Sequence, residues 1–170
     1  VDAVDIPCIL YNVPGRTGCA ISEGVVKRLA SHPNVMGIKE ASGNMSYACK
    51  IARYLGPEFA MYSGNDDITV PILSIGGSGV ISVLANILPQ QTHDMVMAYL
   101  SGDTAAATAA QLRYLELINS LFLEVNPIPV KAALNMMGWE VGPCRMPLYE
   151  MSQGAAQRLR SALEEAGLLA

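Results

Sequence analysis

Charge is scarce in this sequence, and so are aromatic side chains. Charged residues make up 15% of it and aromatic residues 6%, while hydrophobic residues reach 51%. So apolar a chain is neither disordered nor a coiled coil, since both need a larger polar share. Its 170 residues suffice to bury a core. No lysine or arginine cluster appears and the formal net charge is -4. That leaves no electrostatic footprint for nucleic acid or for an acidic membrane surface. No apolar run approaches the ~18 residues of a bilayer span. The start, Val1-Asp2-Ala3-Val4-Asp5, lacks the basic stretch of a secretory signal. It also lacks an initiator methionine, so a processed, cloned or truncated chain is expected. Metal ligands are few. Cys8, Cys19, Cys49 and Cys144 form no C-x-x-C pair, and only His32 and His93 could add imidazoles. No metal site is expected. Reduced thiols in a cytoplasmic protein are the plainer reading.

What is present is an alternation of short apolar runs with helical patterns. Ile6–Val13 reads as a buried strand ended by Pro14-Gly15. Ser22 can cap a helix that stops near His32-Pro33. Val35–Glu40 is a second strand, followed by a helix over 44–55 that ends at Gly56-Pro57. Phe59–Ser63 is a third strand. Asp66 or Asp67 starts the next helix, which tolerates Pro71 early and ends at Gly76-Gly77. Gly79–Val83 is a fourth strand. Beyond it the pattern predicts helices near 89–100, 104–122, 127–137 and 152–166. Short, continuous apolar strands joined by helical crossovers mark a parallel α/β sheet. Residues 1–88 hold the βα units and 89–170 the C-terminal helices. Two architectures fit: an open doubly wound sheet, or part of a (β/α)8 barrel.

Lys39 stands at the end of an apolar strand. An ammonium taken from water without a partner is expensive. A neutral amine in its place is able to attack a carbonyl. For a lone strand lysine, pairing with Glu40 or snorkelling to the surface is the plainer reading. Tyr11 ends another strand, where a phenol could relay protons, although packing more often explains one tyrosine. Arg16 lies in the turn that follows, and its planar fork suits a carboxylate. Gly76-Gly77-Ser78-Gly79 enters a strand and lacks the lysine of a phosphate loop, so it reads as a helix stop. No Gly-x-Gly-x-x-Gly sits at a strand-to-helix turn, and Ser63 and Ser82 lack the partners of a hydrolase triad.

Together these segments resemble the dihydrodipicolinate synthase family. Tyr11-Asn12-Val13-Pro14-Gly15-Arg16-Thr17-Gly18 is similar to its Y-N-V-P-x-R-T-G signature. Gly37-Ile38-Lys39-Glu40-Ala41-Ser42-Gly43 is similar to its G-I-K-E-A-[ST]-G segment. Ser63–Asp67, Gly76–Val83 and Asn126–Lys131 follow in the family's order. The resemblance implies the C-terminal half of a TIM barrel, strands 5 to 8, followed by C-terminal helices. It implies condensation of pyruvate with L-aspartate 4-semialdehyde in lysine and diaminopimelate biosynthesis, in the cytoplasm, with no cofactor. Lys39 would form the Schiff base and Tyr11 would shuttle protons. The backbone near Gly64 and Ile81 would line the pyruvate pocket, with Arg16 and Asn126 towards the second substrate. Arg16 favours that aldehyde, since N-acetylneuraminate lyases share the lysine and tyrosine but generally not the arginine. The family is commonly a tetramer built from dimers, and Met45 and Ile75 could serve a subunit contact. Its N-terminal motifs, including paired threonines and a second tyrosine, do not occur here. The chain by itself is therefore expected to be impaired. The alternatives are another pyruvate-dependent aldolase and a non-catalytic assembly fragment.

Overall fold

Parallel pairing organises the first half of the chain. The computed structural model describes residues 1–169. Strands β1 (Cys8–Asn12), β2 (Val35–Glu40), β3 (Ala60–Ser63) and β4 (Gly79–Val80) form one sheet. Their order is β1-β2-β3-β4 and every pairing is parallel. A doubly wound sheet reverses its strand order at a switch point. Here each strand lies beside its predecessor, which is the winding of a (β/α)8 barrel. The fold is four βα units of such a barrel followed by helices.

After β1 comes a single helical turn, α1 (Pro14–Thr17), and then α2 (Glu23–Leu29). Helices α3 (Met45–Ala52) and α4 (Thr69–Ser74) complete the crossovers. The caps are local. The Ser22 hydroxyl accepts the Val25 N–H at 3.4 Å, and Asn44 Oδ1 accepts the Tyr47 N–H at 3.0 Å. Beyond β4 run α5 (Pro89–Leu100), α6 (Thr104–Arg113), α7 (Leu115–Ser120), α8 (Ile128–Met136) and α9 (Gln153–Glu165).

Several expectations shift; α3, for one, ends at Ala52 rather than near Leu55. β1 begins at Cys8, whose N–H reaches the Asn34 carbonyl at 2.8 Å; Pro7 before it has no N–H to give. The Pro14-Gly15 turn is helical. The helix expected over 104–122 breaks at Tyr114 (φ -98, ψ 6), which redirects Leu117, Ile118 and Leu121 into the C-terminal core. β4 ends at Val80 rather than Val83. Ile81 still donates to the Ser63 carbonyl at 2.8 Å. Then the buried Asp66 carboxylate captures the Val83 and Leu84 N–H groups at 2.9 and 3.2 Å, together with the Ser82 hydroxyl. The chain turns there instead of extending the strand.

Strand side chains alternate between the two faces. Leu10, Ile38 and Met61 face the helices and pack with Val26, Ile51 and Ile72. Tyr11, Lys39, Tyr62 and Gly79 are register partners in one row across the other face. That face is open, with Ile9 42% and Tyr11 49% exposed. A second core joins Leu84 and Leu88 to Leu117, Leu121, Leu159 and Leu163. Gln111 links the two halves, donating to the Asp66 carbonyl at 2.8 Å and accepting the Val70 N–H at 3.1 Å.

Candidate active site

The register of β1 and β2 places Tyr11 directly beside Lys39. Lys39 Nζ lies 4.4 Å from the centroid of the Tyr11 ring. Both stand one residue before the C-terminal end of their strand, the end at which barrel enzymes assemble their sites. They open into a cavity of about 660 Å³ that Arg16, Gly64 and Asn126 also line.

The local sequence accounts for this arrangement. Pro14 starts α1 and Gly18, at φ 71, ends it with an N–H to the Pro14 carbonyl. The one turn they bracket carries Arg16 to the cavity rim, where it is exposed. At Gly64 a Cβ would come within 2.5 Å of Ala41 Cβ and 3.1 Å of Lys39 Cε. Only glycine lets the end of β3 pass the lysine stem at that distance. Asn126 Oδ1 is buried without a hydrogen-bond partner among the described residues. An unpaired buried acceptor is unusual, and this one belongs to a residue of the cavity wall. Ile81 stands apart from the other sequence candidates. It is 40% exposed and outside the cavity lining, and its N–H is taken by Ser63.

Several neighbours escaped the sequence reading. Ser42, Asn65 and Asp67 line the cavity from the strand ends, and Ile118, Asn119 and Phe122 close it from the C-terminal helices. Beneath the rim, Asn12 and Glu40 are each 1% exposed and hydrogen-bonded to one another at 2.7 Å. The Tyr47 hydroxyl donates to the Ile21 carbonyl at 2.6 Å. Burial, then the Glu40 and Glu23 carboxylates, push its phenol up to about 12. The signal for Asn12 and Glu40 was their place beside Tyr11 and Lys39. For the helix residues the sequence held no signal, because they reach the site only through tertiary packing.

Residues 1–166 match the model of the dihydrodipicolinate synthetase family. The chain belongs to that family. The 4-hydroxy-tetrahydrodipicolinate synthase of Caldicellulosiruptor bescii is 54% identical over 167 residues, covering 98% of this chain and 56% of that protein. Among solved structures, the dihydrodipicolinate synthase of Cyanidioschyzon merolae with lysine bound superposes with a TM-score of 0.92 at 43% identity. It covers 97% of this chain and 56% of its own. The chloride-inhibited synthase of Acinetobacter baumannii complexed with pyruvate gives 0.94 at 39%, covering 99% and 58%. The chain thus spans a little over half the length of these dihydrodipicolinate synthetase relatives. The half barrel and its trailing helices keep the family's arrangement. In it an amine, a phenol and a guanidinium converge on one open cavity, the groups needed to add to a carbonyl, move a proton and hold a carboxylate.

Proposed function

We propose that this chain carries the Schiff-base half of a synthase that condenses pyruvate with L-aspartate 4-semialdehyde. The observation that carries the reading is the Lys39–Tyr11 pair on adjacent strand ends, with Arg16 on the same cavity. The four βα units correspond to strands 5 to 8 of the family barrel. The Lys39 amine adds to the pyruvate ketone and water leaves, forming the imine. Loss of a methyl proton gives the enamine, whose carbon attacks the aldehyde and forms the carbon–carbon bond. Tyr11 moves the protons at the carbonyl oxygens. Arg16 holds the carboxylate of the aldehyde substrate, and Asn126 Oδ1, unpaired among the described residues, accepts from that substrate's ammonium group. Gly64 leaves room beside the lysine and borders the pyruvate end. The iminium is itself the electron sink, so the scheme calls on no cofactor. The family names of the relatives and the pyruvate held by one of them support this assignment.

The reading also places the reaction in the cytoplasm and expects assembly of subunits. Met45 and Ile75, the candidates for such a contact, pack partly buried against the first core instead. Among the described residues no helix is long and apolar enough to cross a membrane. Closing a (β/α)8 barrel takes eight strands, and the described residues supply four. Steady-state turnover by residues 1–170 alone is therefore expected to be weak even where imine formation survives.

The test is substrate competition for the trapped imine. With pyruvate and borohydride the chain should accumulate a reduced adduct. Adding aspartate semialdehyde before the reductant should lower its yield, as the enamine is consumed. A fall with sugar-derived aldehydes and none with aspartate semialdehyde would overturn the substrate assignment and favour a sugar-acid aldolase.

A further inference from the structure

Glu40 is among the largest fully buried side chains of the molecule and takes part in no salt bridge among the described residues. A carboxylate taken out of water without a cation is retained where hydrogen bonds replace its hydration. Two bonds do so. Asn12 Nδ2 donates to Oε2 at 2.7 Å and the Ser42 N–H to Oε1 at 2.7 Å. Asn12 Oδ1 in turn accepts the Ile21 N–H at 3.0 Å. The chain Ile21–Asn12–Glu40–Ser42 therefore crosses the ends of β1 and β2. Asn12 and Glu40 are the last register partners of these strands. Beyond them the ladder closes with single bonds, from Ala41 N–H to Asn12 O at 2.9 Å and from Gly64 N–H to Glu40 O at 2.7 Å.

The placement is specific. Asn12 follows Tyr11 and Glu40 follows Lys39, so each buried polar side chain points away from the face that carries its neighbour. The bond to Ile21 closes the segment that presents Arg16, and the bond to Ser42 closes the loop beside the cavity. Strand ends fray where nothing holds them. An apolar pair at these two positions would bury well but could not tie off both loops.

We propose that Asn12 and Glu40 are positioning residues, a buried buckle that fixes the spacing and aim of Tyr11 and Lys39 without touching substrate. The proposal rests on the reading of Lys39 as the carbonyl-binding amine. The polarity of the buckle makes it testable. In Glu40→Gln the single amide oxygen can serve the Asn12 amide or the Ser42 N–H, and the new NH₂ then meets the other, donor against donor; with the oxygen on Ser42 the clash falls on Asn12. Flipping Asn12 would cure that and leave its NH₂ against the Ile21 N–H. In Asn12→Asp two carboxylates meet. The double swap, Asn12→Asp with Glu40→Gln, restores every bond. The introduced glutamine donates to the introduced aspartate, whose other oxygen accepts from Ile21, and the glutamine oxygen accepts from Ser42.

The experiment compares the wild-type chain, both single variants and the swap. Thermal melting reports the fold. Acetic anhydride labelling of Lys39, read by mass spectrometry against the exposed Lys27 and Lys50, reports its surroundings without substrate. Borohydride trapping with pyruvate reports imine formation. In folded single variants we expect the Lys39 labelling ratio to change and trapping to slow about tenfold to a hundredfold. The swap should return both to within about twofold of wild type. Single variants that label and trap like wild type would overturn the proposal. So would a swap that regains the wild-type melting temperature but not the labelling ratio, or one that does not fold. If a single variant fails to fold, the swap decides alone by the same criteria. Should the wild-type chain trap no pyruvate, the reading of Lys39 as the imine lysine fails, while the labelling ratios still decide the buckle.

Discussion

Lys39 acquires its meaning from what stands within a few ångströms of it. Alone on a strand it would be one more solvated lysine; beside Tyr11, and with Gly64 leaving space for its stem, it faces a cavity. Gly64→Ala should therefore act on chemistry and stability together. The added methyl meets Ala41 Cβ at 2.5 Å and Lys39 Cε at 3.1 Å, and overpacking of this kind costs about 1–3 kcal/mol. We expect a lower melting temperature and less trapped pyruvate adduct; an unchanged yield would contradict the placement. Tyr47 gives a second prediction. Its folded phenol sits at about 12, above the ordinary 10.0, because burial and two carboxylates disfavour the phenolate. A raised value means stability that is complete below pH 10 and is lost as pH rises through about 12. Tyr47→Phe should remove that part of the alkaline loss in denaturant melts across this range; an identical profile would contradict it. Lys39, Tyr11 and Arg16 were legible in the sequence because the lysine and tyrosine are polar residues at strand ends and the arginine lies in the turn that follows one of them, all inside motifs. Asn12 and Glu40 stand in the same motifs, but their pairing on the helix-facing side shows itself only once the register is known.

Among the elements, those with local signals appeared where the sequence put them. Ser22 and Asn44 cap α2 and α3, Pro89 opens α5, and β2 keeps its expected bounds. β4 and the α6–α7 break went unread because their causes are distant in sequence. The Asp66 carboxylate ends β4 by bonding residues 82 to 84, and packing of Leu117 and Ile118 dictates the bend at Tyr114. Asp66→Ala leaves the Val83 and Leu84 N–H groups without their acceptor, at about 1–3 kcal/mol for each buried group left unpaired. The variant should unfold at clearly lower denaturant than wild type. Ser22→Ala, which removes one cap from α2, should cost only about 1 kcal/mol. Equal effects of the two substitutions would contradict the anchoring role of Asp66.

The whole molecule is a sheet wound for closure, with β1 and β4 as its two edges and an open inner face. Ile9, Tyr11 and Ile81 are each at least 40% exposed there. Free parallel edges beside exposed apolar side chains invite pairing with other chains. Sedimentation of residues 1–170 should therefore show self-association that grows with concentration; a monodisperse monomer at high concentration would contradict this. The chain's span, a little over half of its relatives' length, was legible early from which motifs it carried, and the barrel winding became certain only from the strand order. The central claim concerns one atom, the Nζ of Lys39, and one measurement reaches it directly. The chain is incubated with pyruvate, reduced with borohydride, weighed intact and mapped by peptide. We predict a single reduced pyruvate adduct on Lys39, absent in Lys39→Arg. A folded chain that carries no adduct, or carries it on another lysine, would contradict the account.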